Sequence, residues 1–275
     1  MSTLLPLKKV YRKFLRKVKK FRSRNVETNL DRLRTRPDIE PVYVLQMGKV
    51  ASLSVSSSLR EQYEGTVLHG HSFSADDSRG DVKTLFRHFN NGENRMKVIS
   101  LVREPIGRNI SAFFQNFSKY VGKDFSASSY TASELRDIFV EKYDHREPLD
   151  WFDKWILSNF DIDVFNYEFP KEGYLTLNNE KISLLVMKYD LSDAIKQRVI
   201  GDFVGLRDFE LINNNISSKK DYSEMYVQVK KMGMPPSYVE KMLQDRYTRH
   251  FYLEELDHLK KIWTEKEVVN AKEEK

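Results

Sequence analysis

The chain has 275 residues, with 46 Lys and Arg against 40 Asp and Glu, no cysteine, and 40% apolar residues. That length suffices for one large domain or two small ones, and zero cysteines exclude a disulfide framework, a thiolate zinc site and a cysteine nucleophile. No stretch approaches the ~20 apolar residues of a spanning helix, and the opening residues do not build a secretory signal, so a cytoplasm-facing protein is expected.

The positive charge is local. Residues 1–26 hold ten Lys and Arg and no acid, leaving 36 basic against 40 acidic residues in the remainder, a charge of −4. A basic body is absent, so no nucleic-acid partner is expected. Leu4, Leu7, Tyr11, Phe14, Val18 and Phe21 recur at steps of three or four, which predicts a basic amphipathic helix over residues 1–25. Such a helix suits the headgroup region of an anionic membrane surface, where each cation contributes on the order of 1 kcal/mol. The expected location is therefore peripheral, on the inner membrane face; docking of the stripe onto the body is the competing expectation.

Residues 26–40 are polar and end in Arg36-Pro37 and Glu40-Pro41, which reads as a linker. An α/β domain is expected over 41–265 and a charged tail over 266–275. Val42–Leu45 is a compact apolar run suited to a buried strand, and residues 52–63 form a helix with Val55, Leu59 and Tyr63 on one side. A short strand is expected over 66–68, a helix over 82–89 and a buried strand over 98–102. Pro105 opens a helix with the apolar face Ile106, Ile110, Phe113, Phe114 and Phe117. Helices near 131–143 and 149–160, a strand over 182–187, a helix from Ser192 and a helical last 55 residues broken at Gly233 and Pro235-Pro236 complete the reading. Strands alternating with helices predict a central parallel sheet covered on both faces.

The first strand runs into Gln46-Met47-Gly48-Lys49-Val50-Ala51-Ser52 and then a helix. Small residues let backbone N–H groups approach an anion, the helix start adds its positive dipole end, and Lys49 adds a charge. The Walker pattern fails: Tyr43 stands where its first glycine belongs, and Val50 follows the lysine where a magnesium-binding hydroxyl is needed. A second element, Arg103-Glu104-Pro105-Ile106-Gly107-Arg108-Asn109-Ile110-Ser111, puts Arg103 at a strand's carboxyl end, where open α/β sheets bind ligands. Arg108, Ser111 and Gln115 are expected on one helical face opposite the apolar one. Two anion sites on neighbouring strand ends suit a nucleotide phosphorylated at both its 5′ and 3′ positions.

This ordered pair resembles the sulfotransferases that use 3′-phosphoadenosine 5′-phosphosulfate (PAPS), with their lysine–small–serine loop and R-[DEN]-P-x-x-R-x-x-S element. The resemblance implies a three-layer P-loop-like fold with a helical C-terminal part and PAPS as donor, with no metal. It implies that Lys49, Val50, Ala51, Ser52, Leu53 and Ser54 cradle the 5′-phosphosulfate, and that Arg103, Arg108 and Ser111 serve the 3′-phosphate. Ala51 stands where the family loop carries glycine, and Leu53 where it carries a second hydroxyl. Leu68-His69-Gly70-His71 and Ile110-Ser111-Ala112-Phe113-Phe114 look like the uronyl/heparan 2-O-sulfotransferase branch, which implies a histidine base. Gln46–Val50, Trp151–Lys154 and Arg246–Tyr252 resemble bacterial capsular polysaccharide synthesis proteins of sulfotransferase type, over about residues 40–265.

The implied reaction is sulfuryl transfer from PAPS to a hydroxyl of a glycan acceptor. His71 is the expected base, since an imidazole near its ordinary pKa of ~6.5 accepts a proton at neutral pH. His69 is its rival, and Asp76, Asp77 and Glu168 stand behind both. Lys219 and Lys220 read as a solvated pair, His250 as structural, and Trp151, Phe152 and Trp155 as core packing more than a sugar platform. Two other functions remain compatible: a nucleotide-dependent kinase or phosphotransferase with a related loop, and a non-catalytic capsule assembly protein.

Overall fold

A computed structural model describes residues 29–92, 94–125, 129–212 and 221–264. The amphipathic segment 1–25, Lys219, Lys220 and the tail 266–275 lie outside the described residues. Among those described, no helix is long and apolar enough to cross a membrane.

Residues 29–35, inside the expected linker, form a helix, α1. It is docked rather than free. Asn29 accepts from the Val67 amide through Oδ1 at 2.9 Å and donates through Nδ2 to the Val67 carbonyl, so one side chain occupies the hydrogen-bonding positions of a neighbouring strand. Arg32 donates to the carbonyls of Tyr63 and Gly65, each at 3.1 Å, and Leu33 is buried. The linker reading is corrected on this point: α1 covers a sheet edge that would otherwise expose unpaired backbone.

Five strands follow the order β2-β1-β3-β5-β4. They are β1 (Val42–Leu45), β2 (Val67–Gly70), β3 (Met96–Val102), β4 (Tyr174–Asn178) and β5 (Ile182–Lys188). β1 pairs in parallel with β2 and β3, and β3 with β5. β1 is buried throughout, as its unbroken apolar run requires of a strand covered on both faces. β4 is the difference from the expected parallel sheet, because it runs antiparallel to β5 at the edge. Its connection is a tight turn in which Asn179 Oδ1 accepts from the amides of Lys181 and Ile182, at 3.0 and 2.9 Å.

Helices α2 (Ser52–Gln62) and α3 (Gly80–Asn90) follow β1 and β2, and α4 (Pro105–Gln115) follows β3. α4 buries Ile106, Ile110, Phe113 and Phe114, each contributing roughly 1.5–3 kcal/mol. Then come α5 (Phe117–Val121), α6 (Ala132–Lys142) with a Thr131–Glu134 capping box, and α7 (residues 151–160), which contains a π turn over Asp153–Leu157. After the sheet stand α8 (Asp193–Val204), α9 (Ser223–Met232), α10 (Pro236–Gln244), α11 (Arg246–Phe251) and α12 (Leu256–Trp263). The break between α9 and α10 falls at Gly233, whose φ of 79° favours glycine, and Pro236 opens α10.

Candidate functional site

The site forms where β1, β2 and β3 end side by side. Leaving β1, the chain buries Met47 and Val50 completely. Between these two anchors, the Gly48 carbonyl accepts from Arg108 Nε at 3.1 Å and the Lys49 carbonyl from Arg103 Nη1 at 3.0 Å. Because a trans peptide points its C=O and N–H in opposite directions, the Lys49 and Val50 amides are turned away from those arginines.

Lys49 (φ 76°) and Ala51 (φ 56°) are both left-handed, and Asp161 is the one other non-glycine residue with positive φ among those described. Positive φ on both sides of Val50, which does not share it, gives the alternation of backbone hand from which anion-binding nests are built. Ala51 therefore adopts a conformation that glycine would take without strain, at a cost of about 1–2 kcal/mol. It is also the N-cap of α2 and offers no side-chain acceptor to the first amides of that helix.

The cradle residues divide by side chain. Val50 is buried and Leu53 is 69% exposed, so neither side chain holds an anion and any contribution comes from their amides. Ser54 donates its hydroxyl to the Ala51 carbonyl at 3.1 Å. Ser52 Oγ lies 2.9 Å from His69 Nε2, beneath the loop. Lys49 Nζ donates to Gln115 Oε1 at 2.7 Å, which brings the far end of α4 to the loop; Ser111, four residues before Gln115, shares that face.

Arg103 is fixed from several sides. Its amide meets the Tyr247 hydroxyl at 3.3 Å, its carbonyl accepts from that hydroxyl at 2.9 Å, and its guanidinium lies 4.9 Å from the Tyr189 ring centroid. Its Nε is buried and has no hydrogen-bond partner among the described residues. A guanidinium so placed keeps donor capacity for an anion. Glu104, the N-cap of α4, accepts from the Gly107 amide at 2.9 and 3.0 Å. Burial pushes its carboxyl up to about 7 against the lowering effect of that amide and of Arg103.

Arg108 requires a correction. It is 1% exposed, not on the outer face with Ser111 and Gln115. Beyond Gly48, it donates to Asn109 Oδ1 at 3.0 Å, to the Tyr143 hydroxyl at 2.9 Å and to Glu147 Oε2 at 2.8 Å. The first turns of α4 run under the β1–α2 loop and the segment after α6, whereas the last turn emerges from beneath them. Arg108 thus supports the loop from below, and Glu147 neutralises its charge.

The two histidines also divide. Their ring centroids are 5.3 Å apart, as alternation along an extended segment requires. Burial, followed by the positive charges of His71, Arg60 and Arg79, pushes His69 down to about 3. It is neutral at physiological pH, with Nε2 engaged by Ser52 and 3.1 Å from Gln46 Nε2. His71 is exposed, and its Nδ1 lies 2.8 Å from the Gln46 main-chain oxygen. A carbonyl only accepts, so Nδ1 carries the proton and the neutral ring presents the Nε2 lone pair. Gly70 between them is required by packing, since a β-carbon there would overlap the Tyr43 hydroxyl, which donates to the Ser72 carbonyl at 2.6 Å.

Sequence reasoning gave Gln46 no role and missed Glu147. Gln46 is buried and touches both histidines. Glu147 stands close enough to feel His71: burial raises its carboxyl, but the Arg108 hydrogen bond and charge, the Tyr143 hydroxyl and His71 hold it below the usual range. Asp77 is spent on the turn after His71, accepting from the Ser72 hydroxyl and the Arg79 amide. Among the described residues, no group of three or more His, Asp or Glu is arranged to hold a metal.

Trp151 and Phe152 are buried and serve packing. Phe152 meets Phe251 at a centroid distance of 5.2 Å, and Arg246 Nη2 bonds Asp153 Oδ2 at 2.5 Å. His250 sits half-buried among Phe165, Phe169 and Phe251, and burial lowers its pKa. Through Tyr247, whose hydroxyl also lies 3.6 Å from Met47 Sδ, this C-terminal block reaches the candidate site.

A search of curated proteins found no match, and a search of solved structures found none. One family model, NKWYS, described as "Putative capsular polysaccharide synthesis protein", matches residues 127–253. The matched stretch includes Trp151–Lys154 and Arg246–Tyr252 but not the Lys49 loop, the histidine segment or the Arg103 element, so the match is narrower than the resemblance over about residues 40–265. It supports similarity to a capsular polysaccharide-related family over residues 127–253.

Proposed function

We propose that the chain is a PAPS-dependent sulfotransferase acting on a hydroxyl of a glycan, in capsule or other polysaccharide synthesis. The observation that carries this reading is the convergence of the Lys49 loop and Arg103 from neighbouring strand ends, with the Nε2 face of His71 at the end of the adjoining strand. The left-handed Lys49 and Ala51, the uncapped start of α2 and the unpartnered Arg103 Nε fit a ligand with two anionic ends.

The bound donor supplies an activated sulfuryl group. In the reaction the acceptor oxygen bonds to sulfur as the bond from sulfur to the bridging oxygen breaks, and 3′,5′-ADP leaves. Lys49 stabilises the charge developing on that oxygen, and the amides at the start of α2 hold the phosphate. Arg103 and Ser111 grip the 3′-phosphate, while His71 Nε2 takes the acceptor proton. Neutral, enclosed His69 positions Ser52 rather than moving the proton. Val50, buried where a Walker loop needs a hydroxyl, weighs against the kinase alternative.

Transfer of labelled sulfate from PAPS to a capsular polysaccharide acceptor tests the proposal. Lys49→Ala should abolish transfer, and His71→Ala should lose turnover while binding 3′,5′-ADP normally; full activity in Lys49→Ala refutes the assignment. A non-catalytic capsule assembly protein is the second reading, favoured by a family match confined to residues 127–253. It predicts no stabilisation by 3′,5′-ADP.

A further inference from the structure

A second cavity lies along the β3–β5–β4 side of the sheet. Asn178 pairs with Ser183, and Ser183 with Lys97, so the two-residue strand period puts Tyr174, Thr176, Asn178, Ser183 and Lys97 on one face. Beside that face, Arg198, Asp202 and Phe203 of α8 line an open cavity of about 390 Å³, within the ~300–1,000 Å³ of ligand sites.

The cavity is open to solvent: Thr176, Asn178, Arg198 and Asp202 are exposed, while Lys97, Tyr174, Ser183 and Phe203 are half-buried. Among the described residues, the Tyr174 hydroxyl, Thr176, the Asn178 side chain, Asp202 and the Arg198 guanidinium make no hydrogen bond to protein. The Arg198 guanidinium lies 5.9 Å from the Tyr174 ring centroid. Lys97, by contrast, is already spent on Glu40 Oε2 at 3.5 Å and the Phe203 carbonyl at 3.0 Å. The cavity thus offers the Tyr174 ring beside Phe203, hydroxyl and amide groups, a carboxylate that accepts hydrogen bonds from hydroxyls, and one guanidinium that takes a carboxylate or sulfate in its planar fork.

We infer that this cavity binds a segment of an acidic oligosaccharide, with Arg198 on its anionic group, Tyr174 against a sugar face, and Asp202, Asn178 and Thr176 on its hydroxyls. The cavity begins beside Lys97, six residues before Arg103, and reaches Tyr174, which is in register through Met187 with Leu101, so a bound segment runs along β4 towards the strand ends that carry the proposed transfer site. The inference deepens the proposed function by naming the glycan as acidic, and rests on that reading only for why a glycan is present.

The test is calorimetry of the full chain with an α-1,4-linked hexagalacturonate as acidic probe and maltohexaose as neutral probe. Hexagalacturonate should bind more tightly than maltohexaose, and Arg198→Ala and Tyr174→Ala should each weaken it about tenfold. Both variants should bind 3′,5′-ADP as the parent does. The inference is overturned if hexagalacturonate fails to bind, binds no better than maltohexaose, or binds both variants with unchanged affinity. Loss of 3′,5′-ADP binding by the parent chain would instead overturn the sulfotransferase reading and leave hexagalacturonate binding standing, so the two failures are distinguishable.

Discussion

Arg103 donates from Nη1 to the main-chain carbonyl of Lys49 at 3.0 Å, so the end of β3 and the loop after β1 are held as one unit. The side chain proposed to meet an anion also fixes the loop proposed to meet the other end of the same ligand. A lysine at 103 has no planar fork to serve two directions at once. Arg103→Lys should therefore keep the fold and lower 3′,5′-ADP affinity, read by calorimetry; unchanged affinity would detach Arg103 from the site.

Ala51 tests the loop geometry. Ala51→Gly removes the left-handed penalty of about 1–2 kcal/mol and adds unfolded-state entropy costing about 0.4–1 kcal/mol. Its melting temperature should be unchanged or raised by a few degrees. Ala51→Val puts a β-branched residue in the same conformation and should lower it. Equal melting temperatures for the two variants would contradict the left-handed assignment.

Gly70 and Tyr43 form a steric pair. Gly70→Ala should destabilise the protein, because the added carbon meets the Tyr43 hydroxyl. Tyr43→Phe in the same chain should recover part of that loss, since it removes the overlapping atom. Thermal denaturation of the two single variants and the double gives the coupling, and strict additivity would show that the two residues are not in contact.

The His69 environment predicts a pH dependence with a definite sign. The unfolded imidazole takes up a proton near pH 6.5, whereas the folded one does so only near 3. Between those values the unfolded state binds more protons, so stability falls as pH drops, by about 1.4 kcal/mol per pH unit from this one group. Urea denaturation of His69→Gln from pH 7 to pH 4 should show a shallower loss than the parent. Parallel curves would mean that His69 is protonated in the folded protein.

Arg108 and Glu147 predict an asymmetry. Arg108→Met strips hydrogen bonds from Gly48, Asn109, Tyr143 and Glu147 and should cost on the order of 3–5 kcal/mol. Glu147→Gln should cost less, because the Glu147 side chain is half exposed and the amide can still accept. Chemical denaturation measures both, and a larger loss for Glu147→Gln would contradict the buttressing role of Arg108.

The buried strands and the helices that follow them were legible in the sequence because unbroken apolar runs and Pro105 have few other readings. β4 was not: Tyr174–Asn178 alternates and is short, and only its pairing with β5 makes it a strand. Nor was α1, where Asn29 matters for one long-range pair of hydrogen bonds that no local pattern announces. At the site, the Lys49 loop and Arg103 followed from charge at strand ends. The burial of Arg108 was not legible, since helical periodicity gives it the same angle as exposed Gln115 and only tertiary cover separates them. Glu147 comes from a segment whose place beside His71 is set by that same cover.

Calorimetric titration with 3′,5′-ADP against 5′-AMP bears most directly on the central claim, that Lys49 and Arg103 hold opposite ends of one nucleotide. The account predicts at least about tenfold preference for 3′,5′-ADP, as a charge-assisted contact to the extra phosphate requires, and loss of that preference in Arg103→Ala. Equal affinity for the two nucleotides, or a preference that survives in Arg103→Ala, would contradict it.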